Sequence, residues 1–212
     1  MSQVTSAHAV EPAESPLTPE SWGKLGMWIF LAGDAMTFGA LLAGYGALRA
    51  ANGIEWPDPT QVLGINLTAF MTFLLICSSV TMVKGLSAIA HGNAKRMRLF
   101  LLLTILGGVI FLGLQAYEWT HLIVDKKVLF STFEGKSSLF GTTFYSITGF
   151  HGAHVTGGVI YLSVIVVGSF LGKPWAKKYN IVEIAGLYWH FVDLIWILVF
   201  TFIYLIPNPT TA

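Results

Sequence analysis

The sequence has few charged residues and almost no cysteine. Asp, Glu, Lys and Arg make up 11% of its 212 residues, whereas a soluble domain carries about 25%. This shortage favours a membrane protein over a soluble one. The one cysteine, Cys77, excludes an internal disulfide and a metal cage built on thiolates. The formal net charge is +1 and no basic block is present, so nucleic acid is not expected as a partner.

Several common motifs are also missing. The chain has no Gly-x-Ser-x-Gly, no P-loop and no Gly-x-Gly-x-x-Gly that opens a helix after a strand. It has no internal repeat of the kind that transporters with inverted halves carry. Residues 1–21 lack the basic and apolar regions of a signal peptide, and we interpret them as a flexible polar tail.

Long apolar segments fill the rest of the chain. Each is long enough to cross about 30 Å of hydrocarbon as a helix at about 1.5 Å per residue. The sequence therefore predicts an all-α fold, with one domain over residues 22–212 made of five transmembrane helices. Their approximate spans are 22–48, 62–90, 98–121, 139–171 and 182–206.

The positions of lysine and arginine predict the orientation of the chain, because cytoplasmic loops carry the excess of these residues. The larger group is Lys24, Lys84, Lys95, Arg96, Arg98, Lys173, Lys177 and Lys178, and the smaller group is Arg49, Lys126, Lys127 and Lys136. We therefore expect a cytoplasmic amino terminus and a carboxyl terminus on the outer side.

The fourth predicted helix contains glycines and histidines where a lipid-facing helix would be plainly apolar. Gly149, Ala153 and Gly157 recur at a spacing of four, which places small residues on one face and lets helices approach closely. His151 and His154 project from roughly the opposite side. We interpret this segment as an interior helix of the bundle.

Asp34 lies near the middle of the first predicted helix, where an ionisable group is costly. One interpretation is a protonatable or lipid-contacting carboxyl. The other is a structural carboxyl held by hydrogen bonds from a neighbouring helix. The sequence does not separate them.

The third helix carries Gln115, Glu118 and His121 at a spacing of three, near its outer end. We expect these side chains to form an interfacial polar end that reaches water. In the second helix, hydroxyl groups recur in a pattern that predicts hydrogen bonds between helices. They belong to Thr68, Thr72, Ser78, Ser79 and Thr81.

A polar stripe follows the fifth helix and consists of Glu183, Gly186, His190 and Asp193. His190 and Asp193 are three residues apart, so we expect the carboxylate to bond and orient the imidazole.

The histidines are also candidate ligands for a metal or haem. A di-iron bundle needs Glu-x-x-His pairs from two helices. Glu118 and His121 form one such pair and no second pair exists. We therefore favour a structural polar network and no metal site. The network consists of Glu118, His151, His154, Glu183, His190 and Asp193.

Three segments resemble subunit III of the heme-copper terminal oxidases. TGFHGAHVTGG (148–158) and YWHFVDLIWILVFTFIYLI (188–206) are similar to two helices of that family, and LGLQAYEW (112–119) is similar to a third. The resemblance covers nearly everything after Ser21 and matches the family's short, five-helix form. Where the family commonly has a glutamate in Ser-Glu-x-x-Phe-Phe, this chain has Asp34, followed by Ala-Met-Thr-Phe.

The resemblance implies a non-catalytic subunit in a bacterial plasma membrane. Haem and copper would be held by partner subunits, and this chain would pack on subunit I and contact other oxidase subunits. A respiratory supercomplex is a candidate partner, and the sequence does not decide it. It would also bind phospholipid and support proton uptake and durability during turnover. The resemblance implies a role for Asp34 as the proton- or lipid-associated carboxyl. It leaves open whether the donor is cytochrome c or quinol, and which haem is used. The alternatives are a redox protein with its own histidine ligands and a small proton-coupled transporter.

Overall fold

Five long helices make up most of the computed structural model of the protein. The structure describes residues 19–52, 56–125, 127–128, 132–133, 136–137 and 139–206. The long helices are α1 (Pro19–Asn52), α3 (Ile65–Ala90), α4 (Ala94–Val124), α5 (Leu139–Phe170) and α6 (Tyr179–Val199). Each, with α6 taken to Leu205, is long and apolar enough to cross a membrane. The predicted all-α architecture with five transmembrane helices is confirmed.

Short elements connect these helices. α2 (Pro59–Val62) is a single turn before α3, and a 3₁₀ turn (Pro174–Lys177) leads into α6. Two residues each of β1 (Thr132–Phe133) and β2 (Lys136–Ser137) pair antiparallel between α4 and α5. Beyond Val199 the chain continues as a π-helical segment, Phe200–Leu205.

Some helix ends differ from the predicted spans. α1 begins at Pro19, so residues 19–21 belong to the helix, and residues 1–18 of the predicted tail lie outside the described residues. Proline suits the first helical position because its missing N–H has no partner there. α4 begins at Ala94 because the Asn93 side chain caps it by accepting a hydrogen bond from Arg96 N at 3.0 Å. The basic first turn of α4 is helical although it is not apolar.

Two glycines end helices on the side of the bundle where the larger basic group lies. Gly92 and Gly172 have φ of +70° and +72°, which residues with a Cβ rarely adopt. After Gly92, Asn93 N donates to Ala88 O at 2.9 Å, and after Gly172, Lys173 N donates to Gly168 O at 2.9 Å. Both follow the Schellman pattern, which satisfies the last carbonyls of a helix and reverses the chain.

The helices form a bundle in which α6 is the most buried and α1 the least. α3 packs against α4 and α6, α5 packs against the same two helices, and α1 lies at the edge against α5 and α6. Large side chains fill the centre, including Phe38, Phe111, Phe144, Trp189 and Trp196.

The hydroxyl groups of α3 bond to neighbouring helices, as the sequence predicts. Trp189 Nε1 donates to Ser78 and Trp196 Nε1 donates to Thr72, both at 3.0 Å. The remaining contacts join Thr68 to Glu118, Ser79 to Asp193 and Thr81 to Thr104. The interior of a membrane offers no water to polar groups, so these bonds satisfy atoms that would otherwise be buried without a partner.

Candidate functional site

Asp34 of α1 and His154 of α5 form a pair well inside the two spans. Nε2 of His154 lies 3.0 Å from Oδ2 of Asp34, and the two side chains are 12% and 14% exposed. Their positions are 120 residues apart in the chain, and the sequence alone does not indicate the contact. The pair agrees with the interpretation of Asp34 as a carboxyl bonded by a neighbouring helix. It does not exclude the other interpretation, because the bonding partner is an imidazole, which can itself take up a proton.

The second ring nitrogen of His154 determines how the pair is protonated. Nδ1 lies 2.8 Å from the carbonyl oxygen of Phe150. A carbonyl oxygen can accept but not donate, so Nδ1 carries a hydrogen. The contact between Nε2 and Asp34 then requires one shared proton. Either an imidazolium faces a carboxylate, or a neutral imidazole accepts from a carboxylic acid, and the pair is neutral overall in both forms.

Aromatic rings surround the imidazole of His154. Its ring centre lies 4.6 Å from that of Phe150 and 5.4 Å from that of Phe38. From α6, the hydroxyl of Tyr188 donates to the backbone carbonyl of His154 at 2.9 Å. Helices α1, α5 and α6 therefore all contribute to one site, in which the pair is largely shielded from its surroundings.

His151 lies one turn earlier on α5 and has a different environment. It is fully buried, with its ring centre 4.8 Å from Trp196 and 5.7 Å from Phe111. Within the described residues, neither ring nitrogen has a hydrogen-bond partner. The predicted hydrogen-bonded network thus includes His154 but does not extend to His151, because that side chain points into the aromatic core.

Glu118 is buried where α3 begins and where α4 and the π-helical segment end. Its side chain accepts hydrogen bonds from Thr68 of α3 at 3.0 Å and from Tyr204 of the π-helical segment at 3.1 Å. The residue is 3% exposed. The prediction that Glu118 is an interfacial residue reaching water is therefore wrong. The π-helical segment places the fully buried Tyr204 against the carboxyl, and no sequence signal indicated that.

The neighbours of Glu118 on α4 divide between core and surface. Gln115 is 5% exposed and donates from Nε2 to Thr148 O at 2.7 Å. His121 is half exposed and pairs with Asp125 at 2.5 Å. His121 is thus exposed, as expected for an interfacial residue. The same prediction is wrong for Gln115, because its side chain faces α5.

His190 and Asp193 do not bond directly, which corrects the expected contact. Ser79 of α3 lies between them, donating to Asp193 Oδ2 at 2.8 Å while its oxygen lies 3.2 Å from His190 Nδ1. Since the serine hydrogen goes to the carboxylate, the imidazole donates from Nδ1 to the serine oxygen. Glu183, the first residue of the predicted stripe, instead forms a salt bridge with Lys24 of α1 at 2.8 Å.

The predicted glycine face of α5 is only partly a packing face. A Cβ at Gly149 would lie 3.1 Å from the ring of Trp119, which is a tight approach. Ala153 and Gly157 are exposed. The expected close helix contact along this stripe is therefore not found at these two positions, because they face the outside of the bundle.

Other glycines of α5 make the tight contacts. A Cβ at Gly152 would lie 2.9 Å from Gln115 Oε1, and one at Gly158 would lie 2.9 Å from the ring of Trp189. These two positions leave room for a buried amide and a buried indole. They lie off the predicted stripe, next to α4 and α6.

Across the described part of the chain, no three His, Cys, Asp or Glu side chains come together as metal ligands do. The arrangement offers a one-proton pair at Asp34 and His154, together with two buried carboxyls held by hydroxyl groups.

Comparisons with known proteins assign the family. Residues 19–207 match the family described as cytochrome c oxidase subunit III. Cytochrome c oxidase subunit 3 of Bacillus subtilis is 36% identical over 184 residues, covering 85% of this chain and 84% of the relative. Subunit 3 of Alkalihalophilus pseudofirmus is 35% identical over 184 residues, covering 85% of each chain. The probable subunit 3 of Mycobacterium bovis is 34% identical over 202 residues, covering 95% of this chain and 97% of the relative. Together with the five-helix bundle, these matches confirm the resemblance, and the chain belongs to the cytochrome c oxidase subunit III family, as a subunit III of a heme-copper oxidase.

Proposed function

We propose that this subunit is an accessory protein that packs directly on subunit I and sustains proton uptake while the oxidase turns over. The observation that carries the proposal is the Asp34–His154 pair, a carboxyl and an imidazole 3.0 Å apart within the apolar helices. Haem and copper belong to the partner subunits. Oxygen reduction takes place there, and this chain contributes contacts, lipid binding and a protonatable pair.

The pair suits a supporting role in proton movement. Its shared proton can move between Nε2 of His154 and Oδ2 of Asp34 without changing the net charge of the site. Moving a proton in this way avoids creating an isolated charge in the membrane, which is costly. The carboxyl belongs to α1, the least buried helix of the bundle, whose outer face can contact a partner subunit or lipid.

The membrane in which the chain lies and its orientation there are also part of the proposal. We expect the bacterial plasma membrane, with the amino terminus cytoplasmic and the carboxyl terminus on the outer side. The excess of lysine and arginine on the side of the α3–α4 turn supports this orientation. The relatives are named for oxidation of cytochrome c, and we propose the same donor here, with a quinol oxidase as the alternative. Other oxidase subunits, phospholipids and a respiratory supercomplex are the expected partners.

Purification through a tag on this chain tests the accessory role. We expect a complex that shows a haem Soret band and contains copper. After detergent dissociation, the Soret band should remain with the partner subunit, and the separated chain should show no visible absorption. A stoichiometric Soret band on the separated chain would contradict the proposal and favour a redox protein with its own ligands.

A further inference from the structure

The outward face of the α3–α4 hairpin carries a polar pocket directly above an apolar groove. The pocket has a volume of about 410 Å³ and lies where the two helices meet the turn. The groove, of about 180 Å³, lies between the same helices, deeper in the membrane. A headgroup-sized polar space that continues into an apolar groove matches the shape of an amphiphile.

The pocket is positively charged. Lys84 and Arg96 line it, together with Ser87, His91 and Asn93, and its lining includes no carboxylate. In the described part of the chain, neither cation forms an ion pair. Lys84 Nζ lies 6.0 Å from the ring centre of Phe100, which also lines the pocket. Two cations with no acidic partner favour an anion as the occupant.

The depth of the two cations matches the boundary between headgroups and hydrocarbon. Lys84 lies six residues before the last residue of α3, which corresponds to about 9 Å. Arg96 lies in the first turn of α4. Long basic side chains reach from such depths to the phosphate level. Both cations can therefore approach one phosphate from two sides.

The groove follows the same stripe of each helix below the pocket. On α3, Leu74, Cys77 and Thr81 line the groove and Lys84 follows in the pocket, at spacings of three and four. On α4, Leu106 and Ile110 form the facing wall.

Gly107 forms part of the floor of this groove, where a Cβ would lie 2.9 Å from Ser78 Cβ. The helices touch there and leave a shallow apolar channel outside the contact. The channel gives an acyl chain a path from the pocket toward the middle of the membrane.

We propose that this face binds one anionic phospholipid, with its phosphate held by Lys84 and Arg96 and an acyl chain along the groove. The proposal deepens the lipid-binding part of the proposed function and assigns it a site separate from the Asp34–His154 pair. The same chemistry would also attract a free phosphate ion. The apolar groove favours the lipid.

A photoreactive phosphatidylglycerol, with a diazirine in its acyl chain, tests the site in the assembled oxidase. We expect crosslinks within residues 74–110, and much weaker labelling by the phosphatidylcholine analogue. Lys84→Gln with Arg96→Gln should reduce the apparent affinity about 30-fold, because each charge-assisted contact with the phosphate contributes about fivefold. The control Lys95→Gln removes the same charge from the same turn at a residue that does not line the pocket, and should leave labelling unchanged.

A second variant tests the groove without changing charge. Cys77→Phe places a ring in the exposed groove and should reduce labelling while the haem content stays normal. Inorganic phosphate should not compete at concentrations where phosphatidylglycerol does. Equal competition by phosphate, or no lipid labelling of this face in the complex, would overturn the lipid site. Either result leaves the accessory role intact, since that role is tested separately, by whether the Soret band stays with the partner subunits after dissociation.

Discussion

Nε2 of His154 and Oδ2 of Asp34 lie 3.0 Å apart across the α1–α5 interface. This relationship joins the most peripheral helix of the bundle to its interior. It also places a group that can be protonated well inside the membrane, in a chain whose described residues form no metal site.

Removing the imidazole should loosen α1. His154→Ala leaves the carboxyl of Asp34 without its partner, and we expect a loss of about 1.5–3 kcal/mol in the free energy of unfolding. Thermal unfolding of the solubilised complex measures the loss. His121→Ala, which removes a half-exposed imidazole, is the control. Equal stability of the two variants would show that the pair does not hold α1.

Glu118 should matter for stability through its two hydroxyl donors. Glu118→Ala leaves Thr68 and Tyr204 without this acceptor at a buried position, and we expect a cost of about 2–4 kcal/mol. Glu118→Gln keeps an acceptor and should cost less. The two variants are compared by thermal unfolding. An Ala variant as stable as the Gln variant would contradict the stabilising role of the contacts of Glu118 with Thr68 and Tyr204.

The hydroxyl of Ser79 should stabilise the protein through its contacts with Asp193 and His190. Ser79→Ala removes the hydroxyl between them, with an expected cost of about 1–3 kcal/mol. A double-mutant cycle of Ser79→Ala with Asp193→Asn should give a coupling energy of at least about 0.5 kcal/mol. Ser146→Ala, at an exposed serine bonded within its own helix, is the control. Purely additive effects would contradict the contact.

Two glycines of α4 offer a matched comparison of packing. A Cβ at Gly108 would lie 2.6 Å from the Trp189 ring and 2.7 Å from Val159 Cγ2, whereas Gly113 has nothing within 4 Å. Gly108→Ala should destabilise the protein by about 1–3 kcal/mol through overpacking. Gly113→Ala should be neutral or stabilising, by up to about 1 kcal/mol, because alanine favours a helix. The reverse order of stabilities would contradict the packing described for α4 and α6.

The sequence predicts the helices well because lipid leaves the backbone few alternatives. The hydroxyl groups of α3 were also predictable, since buried polar side chains in a membrane must bond to neighbouring helices. Both features can be predicted from the residue types within a single segment, without knowing how the helices pack.

The candidate site was harder to predict because it depends on how helices rotate against each other. The sequence marks Asp34 and His154 separately as polar residues within apolar helices. Their contact depends on how α1 is rotated against α5, which the sequence does not indicate. Glu118 looked interfacial by its position in the chain, and its burial depends on Tyr204 in the π-helical segment. The position of Ser79 between His190 and Asp193 was equally hard to predict, because Ser79 belongs to another helix.

The most direct test of the central claim compares Asp34→Asn with Asp34→Glu in the assembled oxidase during sustained oxygen consumption. Asparagine removes the protonatable carboxyl, and glutamate keeps it with one more methylene. We expect both variants to show the parent haem spectrum and initial rate. The asparagine variant should lose activity over fewer turnovers, and the glutamate variant should decay like the parent. An asparagine variant that decays at the parent rate would contradict the claim that the Asp34–His154 pair sustains turnover.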